Sequence, residues 1–244
     1  LSNFNIKVTL ILEKWCIIKT NMNLEVFYMG LLSEKDRKYL VDLFAKELEN
    51  EVKLLFFHGE DCEYCDLESQ LLDEVKELSD KIVVEKYHKD SEKGKEYNVE
   101  YAPALILTLS DGVDRGVRFY GIPSGHEFST LIQDIITFGK GAKPQLSPET
   151  IEKLKNLDKP VKISVFVTPT CPYCPRAALT AHNMALASDK VTAEVVEANE
   201  FFDLSEQFGV SSVPHIAINR NPDRFFIGAY PEPQFLQQVL DLAE

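Results

Sequence analysis

The chain has 244 residues, 45% of them hydrophobic and 27% charged, with a formal net charge of -13. That length accommodates two domains of ordinary size, each able to bury its own apolar core, so the five cysteines are not needed as staples. The negative charge repels polyanions and argues against nucleic acid, and the cysteines are too sparse for the framework of a small secreted protein.

Phe4 to Thr20 is apolar but carries Lys7, Glu13 and Lys14, and it is too short and too interrupted to span a bilayer. It lacks the small-residue cleavage site of a signal peptide, and its Cys16 has no evident partner, so an inert thiol is expected there. From Leu31 onward the pattern becomes regular. Ser33 caps a helix carrying Leu40, Leu43, Phe44 and Leu48, with Asp36 completing a short-armed capping box. A strand over Val52 to Phe57 leads into His58-Gly59-Glu60-Asp61 and Cys62, after which Leu67, Leu71, Val75 and Leu78 mark an amphipathic helix. Further strands are predicted at Ile82 to Tyr87, Ala104 to Leu109 and Gly116 to Tyr120, and a capping box Ser124-Gly125-His126-Glu127 predicts the next helix start. Gly139 to Pro144 breaks the pattern and places a domain boundary.

The second half repeats the order: a helix from Pro148, a strand Val161 to Val167, Cys171 at a helix start, a helix to about Ser188, and a strand Val191 to Glu197. Strands near His215 to Ile218 and Arg224 to Ile227 and a helix after Pro231 complete it. Arg118-Phe119-Tyr120-Gly121 matches Phe225-Phe226-Ile227-Gly228, and Glu85 and Glu194 stand 109 positions apart, as do Cys62 and Cys171. Duplication of a βαβαββα unit predicts two similar α/β domains, each a mixed sheet with helices on both faces. A right-handed crossover in each βαβ half would put the cysteines at the carboxyl end of a central strand, where ligands of open α/β sheets sit.

The chemistry rests on Cys62-Glu63-Tyr64-Cys65 and Cys171-Pro172-Tyr173-Cys174. Such a pair can be a disulfide, a dithiol or half of a metal site. A zinc site would gather all four thiolates, but 105 residues separate Cys65 from Cys171, and no further Cys or His stands in zinc-finger register. Redox chemistry needs a thiolate that attacks and a second cysteine that resolves the mixed disulfide. A helix N-terminus favours negative charge on Cys62 and Cys171, and a three-residue step brings Cys65 and Cys174 back one turn later. Pro103 and Pro214 recur after the apolar Ala102 and Val213, and a cis peptide there would leave the preceding backbone free to pair with an extended substrate. Tyr64 and Tyr173 are expected to shape access to the sulfurs, whereas His58 and His215 read as solvated or packing histidines.

A Cys-x-x-Cys at a strand-to-helix turn, followed by Ala-Pro or Val-Pro, resembles the thioredoxin and glutaredoxin superfamily, and Cys-Pro-Tyr-Cys is the glutaredoxin form. With two such units, with Phe166 to Pro175 and with Gly228-Ala229-Tyr230-Pro231-Glu232, the chain from Met29 onward resembles the glutaredoxin-like protein disulfide oxidoreductases of hyperthermophilic archaea and bacteria. The resemblance implies two thioredoxin-fold units, residues 29–140 and 141–244, after an N-terminal extension, residues 1–28, that falls outside it and fits a start codon assigned upstream. It also implies active disulfides Cys62-Cys65 and Cys171-Cys174, no bound cofactor or metal, a cytoplasmic protein, protein disulfide or dithiol substrates, and a thioredoxin-reductase-like flavoenzyme as electron partner, with no membrane partner. An electron relay between a flavin-dependent reductase and a peroxidase is the alternative within enzymes.

Phe56 and Val165 stand six residues before the first cysteines, where thioredoxins carry a buried acid, so Glu85 and Glu194 are the candidate proton acceptors. Glu60, Asp61, Glu63, Asp66 and Glu68 crowd the first pair with charge, whereas the second has Arg176 and no acid between Thr168 and Arg176. Cys171 is therefore expected to be the more acidic nucleophile.

Overall fold

The structure, a computed structural model, describes residues 30–243. The extension 1–28, with its apolar stretch and Cys16, lies outside the described residues. At Ser33 the hydroxyl accepts from the Asp36 N–H at 3.2 Å and donates to the Asp36 carboxylate at 2.6 Å, the short capping box read from the sequence. It opens α1 (Glu34–Glu47), and β1 (Val52–His58), α2 (Cys65–Lys76) and β2 (Ile82–His88) follow. Next come α3 (Glu92–Glu96), β3 (Ala104–Leu109), β4 (Val117–Tyr120) and α4 (Glu127–Gly139). The second unit repeats this as α5 (Pro148–Lys155), β5 (Val161–Val167), α6 (Cys174–Ala187), β6 (Val191–Glu197), α7 (Phe202–Gln207), β7 (His215–Ile218), β8 (Phe225–Ile227) and α8 (Glu232–Ala243). The short helices α3 and α7 were not placed from the sequence; at five and six residues they carry too little periodicity to read.

In each half the central strand pairs parallel with the strand after it and antiparallel with the third, which pairs antiparallel with the fourth. The two sheets do not stay separate. They fuse into one eight-stranded sheet of order β2-β1-β3-β4-β6-β5-β7-β8, through parallel pairing of Val117 to Tyr120 with Ala193 to Val196. Gly116 permits the junction: its carbonyl accepts from the Ala193 N–H at 2.7 Å, its φ is 74°, and a Cβ there would lie 2.6 Å from the Val191 carbonyl oxygen.

Both faces of the sheet are covered, which explains why β1 reads as a continuous apolar run rather than an alternating one. Leu54 and Phe56 enter the core under α1, α2 and α4, and Leu55 and Phe57 the smaller core under α3 and α7. Almost every residue of α4 is buried, because this helix lies between the sheet, α1 and α6. Asp134 of α4 meets the ring Nδ1 of His182 of α6 at 2.7 Å, fully buried, and Phe119 packs edge-on against that ring. A strand ladder and a helix pair therefore both join the halves. Among the described residues no helix is long and apolar enough to cross a membrane.

Gly116→Ala combines a left-handed backbone with a backbone clash at the junction. It is expected to lower stability by at least ~1–2 kcal/mol, read by urea unfolding; parental stability would show that the strand junction tolerates a side chain.

Candidate active site

Each cysteine pair spans the end of a central strand and the first residue of a helix. The helices begin at Cys65 and Cys174, so Cys62 and Cys171 sit in the preceding turn rather than at the first helical residue expected from the sequence. Both pairs are disulfides, with Cα atoms 5.4 and 5.5 Å apart. Cys174 is fully buried and Cys65 nearly so. The outer sulfurs differ: Cys62 is half-buried and borders a cleft of about 830 Å³ with Phe56, His58, Ser69 and Lys86, whereas Cys171 is only 7% exposed. At the second pair the Cys174 N–H points at the Cys171 sulfur at 3.1 Å, a donor placed to stabilise charge there.

Of the residues before the two prolines, Val213 comes beside a cysteine, and Ala102 lies against Gly59 of the turn that leads to Cys62. The Ala102-Pro103 and Val213-Pro214 peptide bonds are cis, and the Val213 carbonyl oxygen lies 3.8 Å from the Cys171 sulfur. The Pro103 carbonyl accepts from Gly121 N–H at 3.0 Å and the Pro214 carbonyl from Gly228 N–H at 2.9 Å, one device used twice. Tyr173 is 67% exposed beside the second disulfide. Tyr64 is half-buried, and its hydroxyl is held above its ordinary range by the negative charge of Glu63 and then by burial. His58 meets His88 edge-on, while His215 is buried, stacked on Phe225, without a hydrogen bond on either nitrogen and pushed below its ordinary value by burial. Arg176 donates to the Ala229 carbonyl, so its charge is tied to the turn before α8.

The two acids read as proton acceptors are already engaged. Glu85 accepts from the Tyr87 hydroxyl at 2.7 Å and meets Lys53 at 3.1 Å, which together hold it below its ordinary value. Glu194 is buried and accepts from the Ser164 hydroxyl at 2.6 Å and from Arg220 at 2.9 and 2.8 Å; Arg220 and Lys162 also reach Glu100 of the first unit. Their hydrogen bonds go to structural partners and not to sulfur.

Other carboxyls are buried instead. Glu127, predicted to reach back to Ser124 in a capping box, does not cap. Gly125 adopts a φ of 59°, and a Cβ on it would lie 2.3 Å from the Pro169 carbonyl oxygen, which also accepts from the His126 N–H at 2.9 Å. This contact presses α4 onto the loop before Cys171, starts the helix two residues late with His126 in the cap position, and turns Glu127 inward, where it accepts from the Thr130 hydroxyl at 2.7 Å. Its second oxygen has no partner, and burial pushes the carboxyl up to about 8. Since α4 runs beside α6, with Asp134 on His182 two turns further on, Glu127 stands level with the first turn of α6.

At the first pair Glu68 is fully buried with neither oxygen bonded, and burial, followed by the charge of Glu200, pushes its carboxyl well above the ordinary range, which sets it apart from the exposed acids expected there. Glu200 is pushed up to about 8, chiefly by burial, and Glu197 is raised by burial too. The sequence did carry a signal for Glu68: it shares the apolar stripe of Cys65, Leu71, Leu72 and Val75. Among the described residues no three Cys, His, Asp or Glu are grouped to hold a metal ion.

A family model described as a thioredoxin domain matches residues 161–241. The fold matches the protein disulfide oxidoreductase of Aeropyrum pernix K1 with a TM-score of 0.77 at 31% identity, covering 86% of this chain and 93% of that one. It matches the NTD_N/C domain of alkylhydroperoxide reductase AhpF from Enterococcus faecalis with a TM-score of 0.76 at 30% identity, covering 85% and 99%. In sequence the chain is 25% identical to an NADH dehydrogenase of Bacillus subtilis, over 75% of this chain and 33% of that protein. The chain spans about a third of the length of the curated relatives that match it first.

Glu194→Ala leaves Arg220 facing a buried vacancy and is expected to cost about 3 kcal/mol in urea unfolding, while dithiothreitol opens the Cys171 disulfide at the parental rate. Slower opening would restore Glu194 as a proton acceptor. For Glu127, the unfolded chain releases the proton near pH 4 and the folded one near 8, so stability is fully present below about pH 4 and falls as pH rises towards 8. Glu127→Gln is expected to flatten that decline, measured as the unfolding midpoint against pH; an unchanged slope would contradict the assignment.

Proposed function

The chain belongs to the tandem thioredoxin-fold protein disulfide oxidoreductases, and on that premise we propose that it exchanges disulfides with protein substrates at both pairs through mixed disulfides. Residues 29–140 and 141–244 are then the two working units. The observation that carries the reading is the repeated disulfide between a cysteine in the turn after a central strand and a buried cysteine at a helix start, with the Val213 carbonyl before the cis-proline beside the second pair. In the opening step a substrate thiolate attacks Cys62 or Cys171, the disulfide breaks, and the electron pair leaves on Cys65 or Cys174. The reverse step returns the disulfide and releases an oxidised substrate.

Ala102 and Val213 serve as docking backbone, where an extended segment pairs main chain to main chain without demanding a particular sequence. Tyr64 and Tyr173 border the approach. Glu127 is the proton carrier for the second pair: it is neutral, shielded from water and level with the helix turn that begins at Cys174. The second pair is the more reactive, supported by the Cys174 N–H on the Cys171 sulfur and by the absence of acids between Thr168 and Arg176. Glu63 beside the first pair works in the opposite direction.

The likeness to the AhpF domain supports a second reading, in which the chain relays electrons from a thioredoxin-reductase-like flavoenzyme to a peroxidase. A cytoplasmic setting suits either, since thiols there are kept available for exchange.

Insulin reduction and refolding of scrambled ribonuclease separate the two, because a relay fails both while still coupling a flavoenzyme to a peroxidase. An oxidoreductase is expected to pass both, with Cys171→Ser losing at least about tenfold more activity than Cys62→Ser, and with the Cys171 thiol titrating below that of Cys62 in alkylation profiles. A lower apparent pKa at Cys62 would overturn the proposed order of the two sites.

A further inference from the structure

Cys65 and Glu68 lie one helical turn apart on the buried face of α2. Glu68 has no exposed surface and no hydrogen-bond partner on either carboxylate oxygen, a destabilising arrangement in a stripe where an apolar side chain would fit. The charge of Glu200 of the second unit acts on it, and Glu200 accepts from the Ile122 N–H through Oε1 at 2.9 Å while its Oε2 is buried without a partner. Glu63 and Tyr64 of the turn and Glu197 of β6 add to the same group, and His58 of β1, Asp66 of α2 and Lys86 of β2 border the cleft at the disulfide.

We propose that Glu68 is the proton carrier of the first disulfide, and that Glu200, reaching across from the second unit, keeps it loaded. The proposal rests on the reading of Cys62-Cys65 as a working redox pair. When a substrate thiolate attacks the Cys62 sulfur, a substrate–Cys62 bond forms and the Cys62-Cys65 bond breaks. The electron pair goes to the Cys65 sulfur, which is nearly closed to water, and Glu68 hands it a proton. On closing, the Cys65 thiol returns that proton to the Glu68 carboxylate as its sulfur attacks Cys62 and expels the substrate thiolate. Burial raises the affinity of Glu68 for its proton at every pH, and the Glu200 carboxylate adds to it as it ionises towards about pH 8. The second unit thereby sets the proton supply of the first.

The test uses the full chain with the second pair silenced as Cys171→Ser and Cys174→Ser. Opening of Cys62-Cys65 by dithiothreitol is followed by acid quench and mass spectrometry from about pH 5 to 9, with rates divided by thiolate concentration. Glu68→Gln keeps shape but carries no transferable proton, and it is expected to slow opening roughly a hundredfold and to remove the high-pH fall in the corrected rate. Glu200→Gln changes no residue of the first unit and is expected to shift that fall to lower pH. Superimposed profiles for the parent and Glu68→Gln would overturn the inference, and so would an unshifted profile in Glu200→Gln, which decides the matter if Glu68→Gln does not fold. A silenced parent that thiols do not open at all would overturn the redox reading of the first pair as well.

Discussion

Parallel pairing of Val117 to Tyr120 with Ala193 to Val196 is the contact on which the remaining architecture depends. It converts two four-stranded sheets into one, removes two exposed edges, and brings α4 against α6. The strand ladder needs a backbone approach that only Gly116 permits, and the helix pair is closed by Asp134 on His182. In this register Arg118 stands opposite Glu194, yet each is paired within its own half, Arg118 with Asp114 and Glu194 with Ser164 and Arg220, and ion pairs cross from Lys162 and Arg220 to Glu100.

The same junction shapes both redox sites. Docking of α4 through Gly125 and His126 on Pro169 encloses Glu127 behind the loop that leads to the second pair, and the end of β6 and the turn after it bring the charge of Glu197 and Glu200 to Tyr64 and that of Glu200 to Glu68. Isolated carboxylates under such burial keep their protons well into the neutral range, which is the property a buried leaving sulfur requires. The sites nevertheless differ in what surrounds the outer sulfur, a cleft with charged walls at Cys62 and a closely covered position at Cys171.

Much of this was legible in the chain. Strand and helix periodicity placed Ala104 to Leu109 and Val161 to Val167 at their observed bounds, and the recurrence of Cys-x-x-Cys with a downstream proline marked both sites. The Ser33 hydroxyl caps α1 as read, with the Asp36 carboxylate accepting from that hydroxyl. The equivalent motif at Ser124 does not cap its helix. There the Pro169 carbonyl, remote in sequence, captures the His126 N–H, and Glu127 is enclosed before it can reach Ser124. Glu85 and Glu194, matched in spacing, looked like twin proton acceptors, but Lys53 of the neighbouring strand and Arg220 of the turn between β7 and β8 engage them.

The sequence by itself determined the duplicated unit, the two cysteine pairs and their prolines, since these follow from local periodicity and short-range spacing along one chain. Only the tertiary structure decided which carboxyls are buried and which charges they face. Burial raises Glu68, Glu127 and Glu200 alike, while the charge of Glu200 on Glu68 and that of Glu63 on Glu200 act only because the two halves meet.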